Sequence, residues 1–423
     1  MTMSSPQHAP PPLRRVVVTG MGAVTPIGNT WSQTWANMLR GVIGIAPLTR
    51  IKCDDLPVRI GGEIKDFDPE QYMSRKVIRR TDCSVHIAIA AAVMAMEDAK
   101  LEIDDDLAER VGVVLGSGGG PVHLTAAART KLDTVGPRGI SAFCFSGSSV
   151  DSAASEIALL AGAQGNSYCV STACATGATA IAEASRMIQL GEADVVIAGG
   201  TDDTMTRLEI TSAAISRALS RSDRDPTQVC RPFDKDRDGF VMSAGAGVVI
   251  LESAEHAIAR QATIIGELAG TGSTTDAYHI TAPHPEGLAA QRAMRMALDR
   301  AGATPDDVDY INAHGTSTKL NDTVEVLAIR SVFGDRAPAI PISSIKSMTG
   351  HMLGGAGAVE LMTTLETIRS GVVPPTINCD DPEDPEMNFV PHRPQEHKVK
   401  VAMSNSFGFG GHNVVLLVRE WCQ

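Results

Sequence analysis

The sequence predicts an α/β protein built from two similar halves. Short runs of β-branched residues alternate with alanine-rich stretches of helical period, which is typical of a sheet covered by helices. The order of strand, small-residue turn and small-residue helix occurs at residues 168–190 and again at residues 341–368. A chain of 423 residues also exceeds the usual size of a single hydrophobic core. Together these observations favour a duplicated α/β unit.

The predicted elements follow a similar order in both halves. In the first half, strands are predicted at 16–19, 111–115, 168–171, 195–198 and 247–251, and helices at 81–99, 148–160 and 175–190. In the second half, strands are predicted at 264–269, 308–312, 340–345, 399–403 and 413–418, and helices at 288–301, 323–333 and 357–370. We therefore divide the chain into halves at residues 14–258 and 259–423, preceded by a polar, proline-rich tail (1–13) that is expected to be disordered.

Composition and charge argue against several classes of protein. A net charge of −12 disfavours a nucleic-acid partner, because phosphate contacts demand a basic surface. No apolar run is long enough to span a membrane. None of the eight cysteines forms a C-x-x-C pair, so a zinc or redox motif is not expected. The scattered cysteines favour a reducing compartment, and we expect a cytoplasmic enzyme without a bound metal.

One cysteine and two histidines stand in settings that are typical of catalysis. Cys174 lies in STACATG (171–177), where a predicted strand gives way to a predicted helix. The helix N-terminus is expected to lower the pKa of this thiol from about 8.5 and to offer backbone N–H groups to an oxyanion. His314 in NAHGTST (312–318) and His351 in KSMTGH (346–351) each follow a predicted strand, where α/β sites gather. A thiol with two imidazoles suits acyl exchange with thioesters.

Other candidate motifs have plainer explanations. Cys83 and Cys169 lie inside apolar periodic segments and are expected to be buried structural cysteines. The run DKDRDG (234–239) copies the start of a calcium loop, but its twelfth position is Gly245 instead of glutamate, so we expect a surface ion network. The glycine loop at 116–120 lacks the spacing of a dinucleotide-binding turn, so no nucleotide cofactor is expected.

Taken together, these motifs resemble those of the elongating β-ketoacyl-acyl carrier protein synthases, in the thiolase-like superfamily. The similarity runs from VVVTGMG (16–22) to SNSFGFGGHN (404–413) and includes RPFD (231–234) and DGF (238–240) in the family's order. It implies a five-layer αβαβα fold of two similar halves, usually dimeric. It also implies a condensation in which malonyl-acyl carrier protein loses CO₂ and extends an acyl chain held on cysteine. No cofactor is expected in the synthase, because loss of CO₂ generates the carbanion and the partner carries the phosphopantetheine.

The resemblance also implies roles for individual residues. Cys174 corresponds to the acyl-accepting nucleophile, and His314 and His351 correspond to the pair that promotes decarboxylation. The supporting positions are Lys346 and Glu360 beside the histidines, Phe407 and Phe409 at the gate and oxyanion hole, and Thr316 and Thr318 along the phosphopantetheine arm. Lys76, Arg79 and Arg80 correspond to a docking patch for the acidic carrier protein, although a solvated helix face would explain the same cluster.

Three stretches depart from the fatty-acid members of the family. Small polar residues fill FSGSSVDS (145–152), SAGAG (243–247) replaces GEGAG, and Lys319 stands where proline is usual. The last of these is more like the ketosynthase subunit of type II polyketide systems. The departures slightly favour such a subunit, paired with a chain-length-factor partner. The alternative is a homodimeric elongating synthase of fatty-acid synthesis. A non-catalytic partner subunit is a third alternative, which the presence of Cys174 and both histidines disfavours.

Overall fold

A computed structural model of the chain describes residues 13–422. Apart from Leu13, the predicted disordered tail lies outside these residues. The strands of the main sheet are β1 (Val16–Val24), β2 (Val111–Gly116), β3 (Ser167–Val170), β4 (Val195–Asp202), β5 (Gly245–Ser253), β6 (Gly266–Thr275), β7 (Tyr310–Asn312), β8 (Ile342–Ser343), β9 (Val401–Gly408) and β10 (His412–Arg419). Two small antiparallel pairs join Ala46–Pro47 to Ile60–Gly61 and Val372–Val373 to Gln395–Glu396.

Helices alternate with these strands along the chain. The α-helices of six or more residues within 13–422 are α1 (Trp31–Leu39), α2 (Arg75–Arg80), α3 (Cys83–Ala99), α4 (Val122–Val135), α5 (Ser152–Ala161), α6 (Thr176–Gln189), α7 (Arg207–Ile215), α8 (Ala254–Ala259), α9 (Leu288–Ala301), α10 (Lys319–Phe333) and α11 (Ala356–Ser370). No helix in this part of the chain is both long and apolar enough to cross a lipid bilayer.

The order of the strands shows that the fold is a duplication. Across the main sheet the order is β8-β7-β9-β10-β6-β1-β5-β4-β2-β3. Read inward from one edge of the sheet, strands β1–β5 of the first half lie in the order β3-β2-β4-β5-β1. Read inward from the other edge, strands β6–β10 of the second half lie in the order β8-β7-β9-β10-β6, which is the same order with each number raised by five. The directions repeat too, since β2 is parallel to β3 and β4 just as β7 is parallel to β8 and β9. The two halves join where β1 pairs with β6 over only two residues of each strand.

Helices cover both faces of each half-sheet, which gives five layers. Helices α3 and α5 pack on the outer face of the first half, and α9 packs on the outer face of the second with α10 beside it. Helices α6 and α11 lie between the halves, contact strands of both and contact each other. Both faces of the strands are therefore buried, as in parallel α/β sheets. This arrangement confirms the predicted duplicated αβαβα fold.

Glycines on the strands allow the outer helices to approach closely. A Cβ built on Gly22 of β1 would lie 2.0 Å from the carbonyl oxygen of Ala91 in α3. At the equivalent place in the second half, a Cβ on Gly272 of β6 would lie 1.9 Å from the carbonyl oxygen of Ala293 in α9. Both distances are shorter than van der Waals contact allows. Glycine on the strand and alanine on the facing helix thus permit the same close contact in both halves.

The observed elements differ from the predicted ones mainly at their ends. The strand predicted at 340–345 is only Ile342–Ser343, because the chain turns into the short helix Lys346–Thr349. The helix predicted from 148 begins at Ser152. Helix α4 was not predicted, and none of its residues is buried. A helix without a buried face lacks the apolar period on which such a prediction rests.

Replacing Gly22 by alanine is expected to destabilise the first half. The added methyl group has no space against the backbone of α3, and overpacking of this kind costs about 1–3 kcal/mol. Urea unfolding should show this loss in the free energy of unfolding, and Gly272→Ala should show a similar loss. Lys131→Ala, at an exposed position of α4, serves as the control and should change stability by less than about 0.5 kcal/mol. An unchanged midpoint for both glycine variants would contradict the packing argument.

Candidate active site

Cys174 lies in a tight turn between β3 and the central helix α6. The turn is the 3-10 segment Ala173–Ala175, and Ala173 has a φ of +49°, a left-handed conformation that costs energy for a residue with a side chain. The hydroxyl of Thr176 accepts a hydrogen bond from the backbone N–H of Thr172 at 2.8 Å and donates one to the carbonyl oxygen of Ala173 at 2.6 Å. These bonds hold the strained turn at the start of the helix.

The last strands of the second half reach this turn. A Cβ on Gly408, the final residue of β9, would lie 2.7 Å from the carbonyl oxygen of Thr172 and 3.2 Å from the backbone nitrogen of Cys174. The backbone N–H of Phe409, the next residue, lies near the sulfur of Cys174 and lowers the pKa of the thiol. An acyl oxygen formed at that sulfur would therefore lie beside the N–H groups of Phe409 and Cys174, the arrangement of an oxyanion hole.

The Cys174 thiol is buried, and its pKa is opposite in direction to the sequence prediction. Only 8% of the residue is exposed. Burial raises the pKa of the thiol to about 11, although the nearby charge of Lys346 and the N–H of Phe409 lower it. The prediction that the helix N-terminus lowers this pKa was wrong, because removal of water from the thiolate outweighs the local dipoles. The resting cysteine is therefore a protonated thiol.

His314 and His351 meet Cys174 in one cavity of about 310 Å³. The ring centroids of the two histidines lie 5.4 Å apart, edge to face. Phe407 packs against His314 with a centroid distance of 5.8 Å, and Phe240 packs against His351 at 5.3 Å. The three residues that the sequence analysis placed on separate turns are thus brought to a single site.

Lys346 orients the His314 ring and determines which of its nitrogens carries the proton. The buried ammonium group of Lys346 pairs with the carboxylate of Glu360 and lies 3.4 Å from Nδ1 of His314. An ammonium group only donates, so Nδ1 accepts and the ring proton is on Nε2. Burial and then Lys346 hold the pKa of His314 and of His351 well below 6.5, so both rings are neutral. A neutral imidazole with a proton on Nε2 can donate to an enolate oxygen.

His351 has unused hydrogen-bonding capacity. It is 1% exposed, and neither of its ring nitrogens has a hydrogen-bond partner among the described residues. Its backbone is held, since its N–H donates to the carbonyl oxygen of Val241 at 2.7 Å and its carbonyl oxygen accepts from Ser243. A buried polar group without a partner is costly. The side chain can therefore still donate or accept a hydrogen bond inside the cavity.

Glu325 supports the His314 loop and was missed by the sequence analysis. Its carboxylate accepts the backbone N–H groups of His314 and Gly315, both at 2.8 Å, and the side chain of Asn405 at 3.1 Å. Burial raises the pKa of this carboxyl to about 7. The sequence did contain a signal for Glu325. It lies one turn after Asp322 on the buried side of α10, and a buried carboxylate needs hydrogen-bond partners.

Asp202 is a second missed residue, and it explains the glycine loop. It accepts the Ser117 hydroxyl at 2.7 Å and the N–H groups of Gly118 and Gly119 at 3.0 Å, all in that loop. It also accepts the N–H of Gly354, beyond His351, at 2.6 Å. The three N–H groups can only donate, so they favour the ionised carboxylate, whereas its burial raises its pKa. Through Asp202, the glycine loop is thus joined to the segment that follows His351.

The remaining predicted site residues fall into two groups. Thr316, Thr318, Phe407 and Phe409 line the cavity, and the two threonine hydroxyls bond to each other at 2.9 Å. Lys76, Arg79 and Arg80 lie on α2 and do not line it. Lys76 and Arg79 are exposed, whereas Arg80 donates two hydrogen bonds to Glu156, at 2.8 and 2.5 Å. Arg80 is therefore committed to an ion pair within the chain.

The calcium-like run forms ion pairs, as expected; those of Lys235 with Asp381 and of Asp236 with Arg224 lie at the surface, whereas others are buried. Asp234 is 1% exposed and pairs with Arg231 at 2.9 Å. Arg237 is also buried and pairs with Asp322 and Glu383. Asp234 further accepts the backbone N–H groups of residues 380 and 381. The run thus ties the segment after α11 to the cavity wall.

Known proteins match this chain along nearly its whole length. The family model "Beta-ketoacyl synthase, N-terminal domain" matches residues 13–257, and "Beta-ketoacyl synthase, C-terminal domain" matches 265–380. The 3-oxoacyl-[acyl-carrier-protein] synthase 2 of Synechocystis sp. is 47% identical over 96% of this chain and 98% of its own length. The synthase of the same name from Staphylococcus aureus is 46% identical over 96% of this chain and 99% of its own.

Solved structures agree in fold. A β-ketoacyl synthase from Burkholderia phymatum is 32% identical, with a TM-score of 0.89 over 97% of this chain and all of that one. A ketosynthase of a type II polyketide system, solved with its acyl-carrier protein, is 34% identical with the same TM-score and coverage. This chain belongs to the β-ketoacyl synthase family, and it is an acyltransferase. Our division at 258 and 259 falls between the two matched segments and stays a prediction.

The pH dependence of Cys174 alkylation is expected to reveal its raised pKa. Because the thiolate reacts and its pKa is about 11, the rate with iodoacetamide should rise about tenfold per pH unit through neutral and mildly alkaline pH. An ordinary cysteine would level off above about pH 8.5. A plateau at that pH would contradict the assignment.

Two variants give a matched test of the charges around the thiol. Asp202 raises and Lys346 lowers the pKa of Cys174, so Asp202→Asn should move the profile to lower pH and Lys346→Met to higher pH.

Proposed function

We propose that this chain catalyses the decarboxylative condensation of an acyl thioester, held on Cys174, with a malonyl group delivered by acyl carrier protein. The observation that carries this proposal is the meeting of one buried thiol with two neutral imidazoles in a single cavity. The names of the curated relatives support it, because they describe 3-oxoacyl-[acyl-carrier-protein] synthases.

In the first step, the acyl group moves to Cys174. The sulfur attacks the thioester carbonyl, and the oxygen takes up negative charge beside the N–H groups of Phe409 and Cys174. When the intermediate collapses, the carrier thiolate leaves and takes the proton that the Cys174 thiol gave up. A thioester replaces a thioester, so the exchange costs little free energy. Thr316 and Thr318 line the path that the phosphopantetheine arm would follow.

In the second step, the malonyl group loses CO₂. The bond between the methylene and the carboxylate breaks, and its electron pair forms an enolate whose oxygen lies near the histidines. Nε2–H of His314 and a ring N–H of His351 stabilise that oxygen, and the uncharged rings avoid protonating the carbanion. The carbanion attacks the acyl-cysteine carbonyl, and Cys174 leaves as thiolate and is reprotonated. Because the electron pair comes from the broken bond, the proposed reaction needs no resident metal or redox cofactor.

We favour fatty-acid elongation in the cytoplasm as the pathway. Identities of 46–47% to the named 3-oxoacyl synthases exceed the 34% to the polyketide ketosynthase. The sequence departures favoured the polyketide interpretation, and the comparisons support its alternative better. The non-catalytic alternative is disfavoured by the complete site.

A second subunit is part of the proposal. Strand β3 is at the end of the sheet, with β2 as its only neighbour among the described strands. Near it the exposed fractions reach 56% for Phe143, 92% for Phe145 and 74% for Leu159. These three side chains line one surface groove. Exposed apolar side chains grouped in this way favour an interface, and an open strand edge offers unpaired backbone groups to a partner. We propose that a second copy of this chain covers this surface.

Cys174→Ala is expected to abolish transfer of the acyl group to the enzyme. Mass spectrometry after incubation with acyl-carrier protein should show the acyl adduct in the wild type and none in the variant. His314→Ala and His351→Ala should still form the adduct but lose about 10²–10³-fold in CO₂ release from malonyl-carrier protein, because each removes an oxyanion donor. Cys422→Ser, at an exposed position, is the control and should behave as wild type.

Normal extension by Cys174→Ala would overturn the proposal. The same preparations distinguish the pathways. An active homodimer supports fatty-acid elongation, whereas activity that requires a different, non-identical subunit would support the polyketide alternative.

Charge reversal on α2 is expected to weaken docking of carrier protein. Lys76→Glu with Arg79→Glu should raise KM for malonyl-carrier protein by about tenfold and leave kcat nearly unchanged, because surface charges steer encounter. The difference should shrink at high salt. Lys398→Glu with Lys400→Glu, an exposed control pair with the same charge change, should leave KM unchanged. If the α2 variant and the control variant have equal KM values, Lys76 and Arg79 belong to a solvated helix face and do not dock the carrier protein.

A further inference from the structure

A sulfur, a nitrogen and an oxygen donor converge outside the active-site cavity. One ligand atom each from Cys83, His123 and Asp203 lie within 4.8 Å of one another. The carboxylate of Asp203 is 3.3 Å from the Cys83 sulfur through one oxygen and 3.1 Å from Nε2 of His123 through the other. Asp203 is buried, while Cys83 and His123 are partly exposed, so the cluster is reachable from one side. Cys83 is therefore not the buried structural cysteine that the sequence analysis expected.

The spacing of these atoms suits a tetrahedral ion. Zinc lies about 2.0–2.3 Å from nitrogen, oxygen and thiolate ligands, so neighbouring ligands of one ion are separated by roughly 3.3–3.8 Å. The two separations around Asp203, 3.3 and 3.1 Å to its two oxygens, lie at the lower end of that range and just below it. Thiolate, imidazole and carboxylate are also the ligand types that zinc takes in proteins.

The backbone around two of the donors is held by a separate carboxylate. Asp82 caps α3 by accepting the N–H of Ser84 at 2.9 Å, and its other oxygen accepts the N–H of Leu124 at 2.6 Å. Cys83 and His123 are the chain neighbours of Asp82 and Leu124. The starts of α3 and α4 are therefore joined beside the two donors, independently of any ion.

Arg50 supplies the positive charge at this cluster. One guanidinium nitrogen lies 2.6 Å from the Asp203 carboxylate, and another lies 3.4 Å from the Cys83 sulfur. The Arg50 side chain is 36% exposed, so it can move into solvent without breaking the core. A cation at the cluster would replace Arg50 as the partner of Asp203, and the two would compete.

We propose that Cys83, His123 and Asp203 form a binding site for a thiophilic divalent cation such as Zn²⁺, with Arg50 displaced and a water molecule completing four ligands. Binding releases the thiol proton of Cys83 to solvent, so that sulfur coordinates as thiolate, while His123 coordinates as a neutral ring. Because binding releases this proton, affinity should increase with pH. Asp203 adjoins Asp202, which places the ion one residue from the carboxylate that holds the glycine loop.

The test measures Zn²⁺ binding in the Cys174→Ala background, which removes the reactive thiol from consideration. Equilibrium dialysis of the full chain should show one bound equivalent, and Co²⁺ should give the near-ultraviolet absorption of a thiolate ligand. Cys83→Ser and His123→Gln should each weaken binding by more than about tenfold. Arg50→Ala should strengthen Zn²⁺ binding, because the guanidinium group that competes for Asp203 is removed. Cys53→Ser is the matched control at another half-buried cysteine and should bind as the parent does.

Two outcomes would overturn the site: no binding by the parent, or equal binding by parent and Cys83→Ser. Circular dichroism of each variant shows whether it is folded, and Arg50→Ala provides a gain of affinity that misfolding cannot imitate. Because binding is measured without turnover, this test can fail while the proposed condensation stands, and the reverse also holds.

Discussion

The backbone contact between the first turns of α6 and α11 is the constraint on which the rest of the site depends. A Cβ on Gly177 would lie 2.7 Å from the carbonyl oxygen of Gly354, and a Cβ on Gly357 would lie 2.7 Å from the backbone nitrogen of Ala178. Only residues without side chains permit the two helices to begin this close together. As a result, the turn that carries Cys174 and the turn that follows His351 open into one cavity, although their residues belong to different halves.

Duplication gives both halves the same scaffold, and the residues on it have diverged. In the first half, the loop after β2 holds glycines bound to Asp202, whereas in the second the equivalent loop after β7 carries His314 bound to Glu325. The turn after β3 carries Cys174, and the equivalent region after β8 carries Lys346 and His351. One half thus supplies the thiol that we propose as acyl acceptor, and the other supplies the groups that we propose to stabilise the enolate.

Burial is the main electrostatic influence on the site. It disfavours every charged form, so it keeps Cys174 a thiol and both histidines neutral. Charged groups persist there where they have partners: Lys346 and Glu360 compensate each other as an ion pair, and Asp202 is held by N–H donors. A site of neutral donors around one paired cation can accept a negative charge when the reaction generates it.

The sequence by itself determined the fold class, the duplication and the identities of Cys174, His314 and His351, because strand periodicity and small-residue turns are local properties. It also placed Lys346, Glu360, Phe407 and Phe409 near the chemistry through resemblance. Only the tertiary structure decided the direction of the Cys174 pKa, the partner of Arg80, and the support given by Asp202 and Glu325. Desolvation, ion pairing and carboxylate contacts depend on residues that are far apart in the chain. The spacing of those residues in the sequence does not predict which of them come into contact.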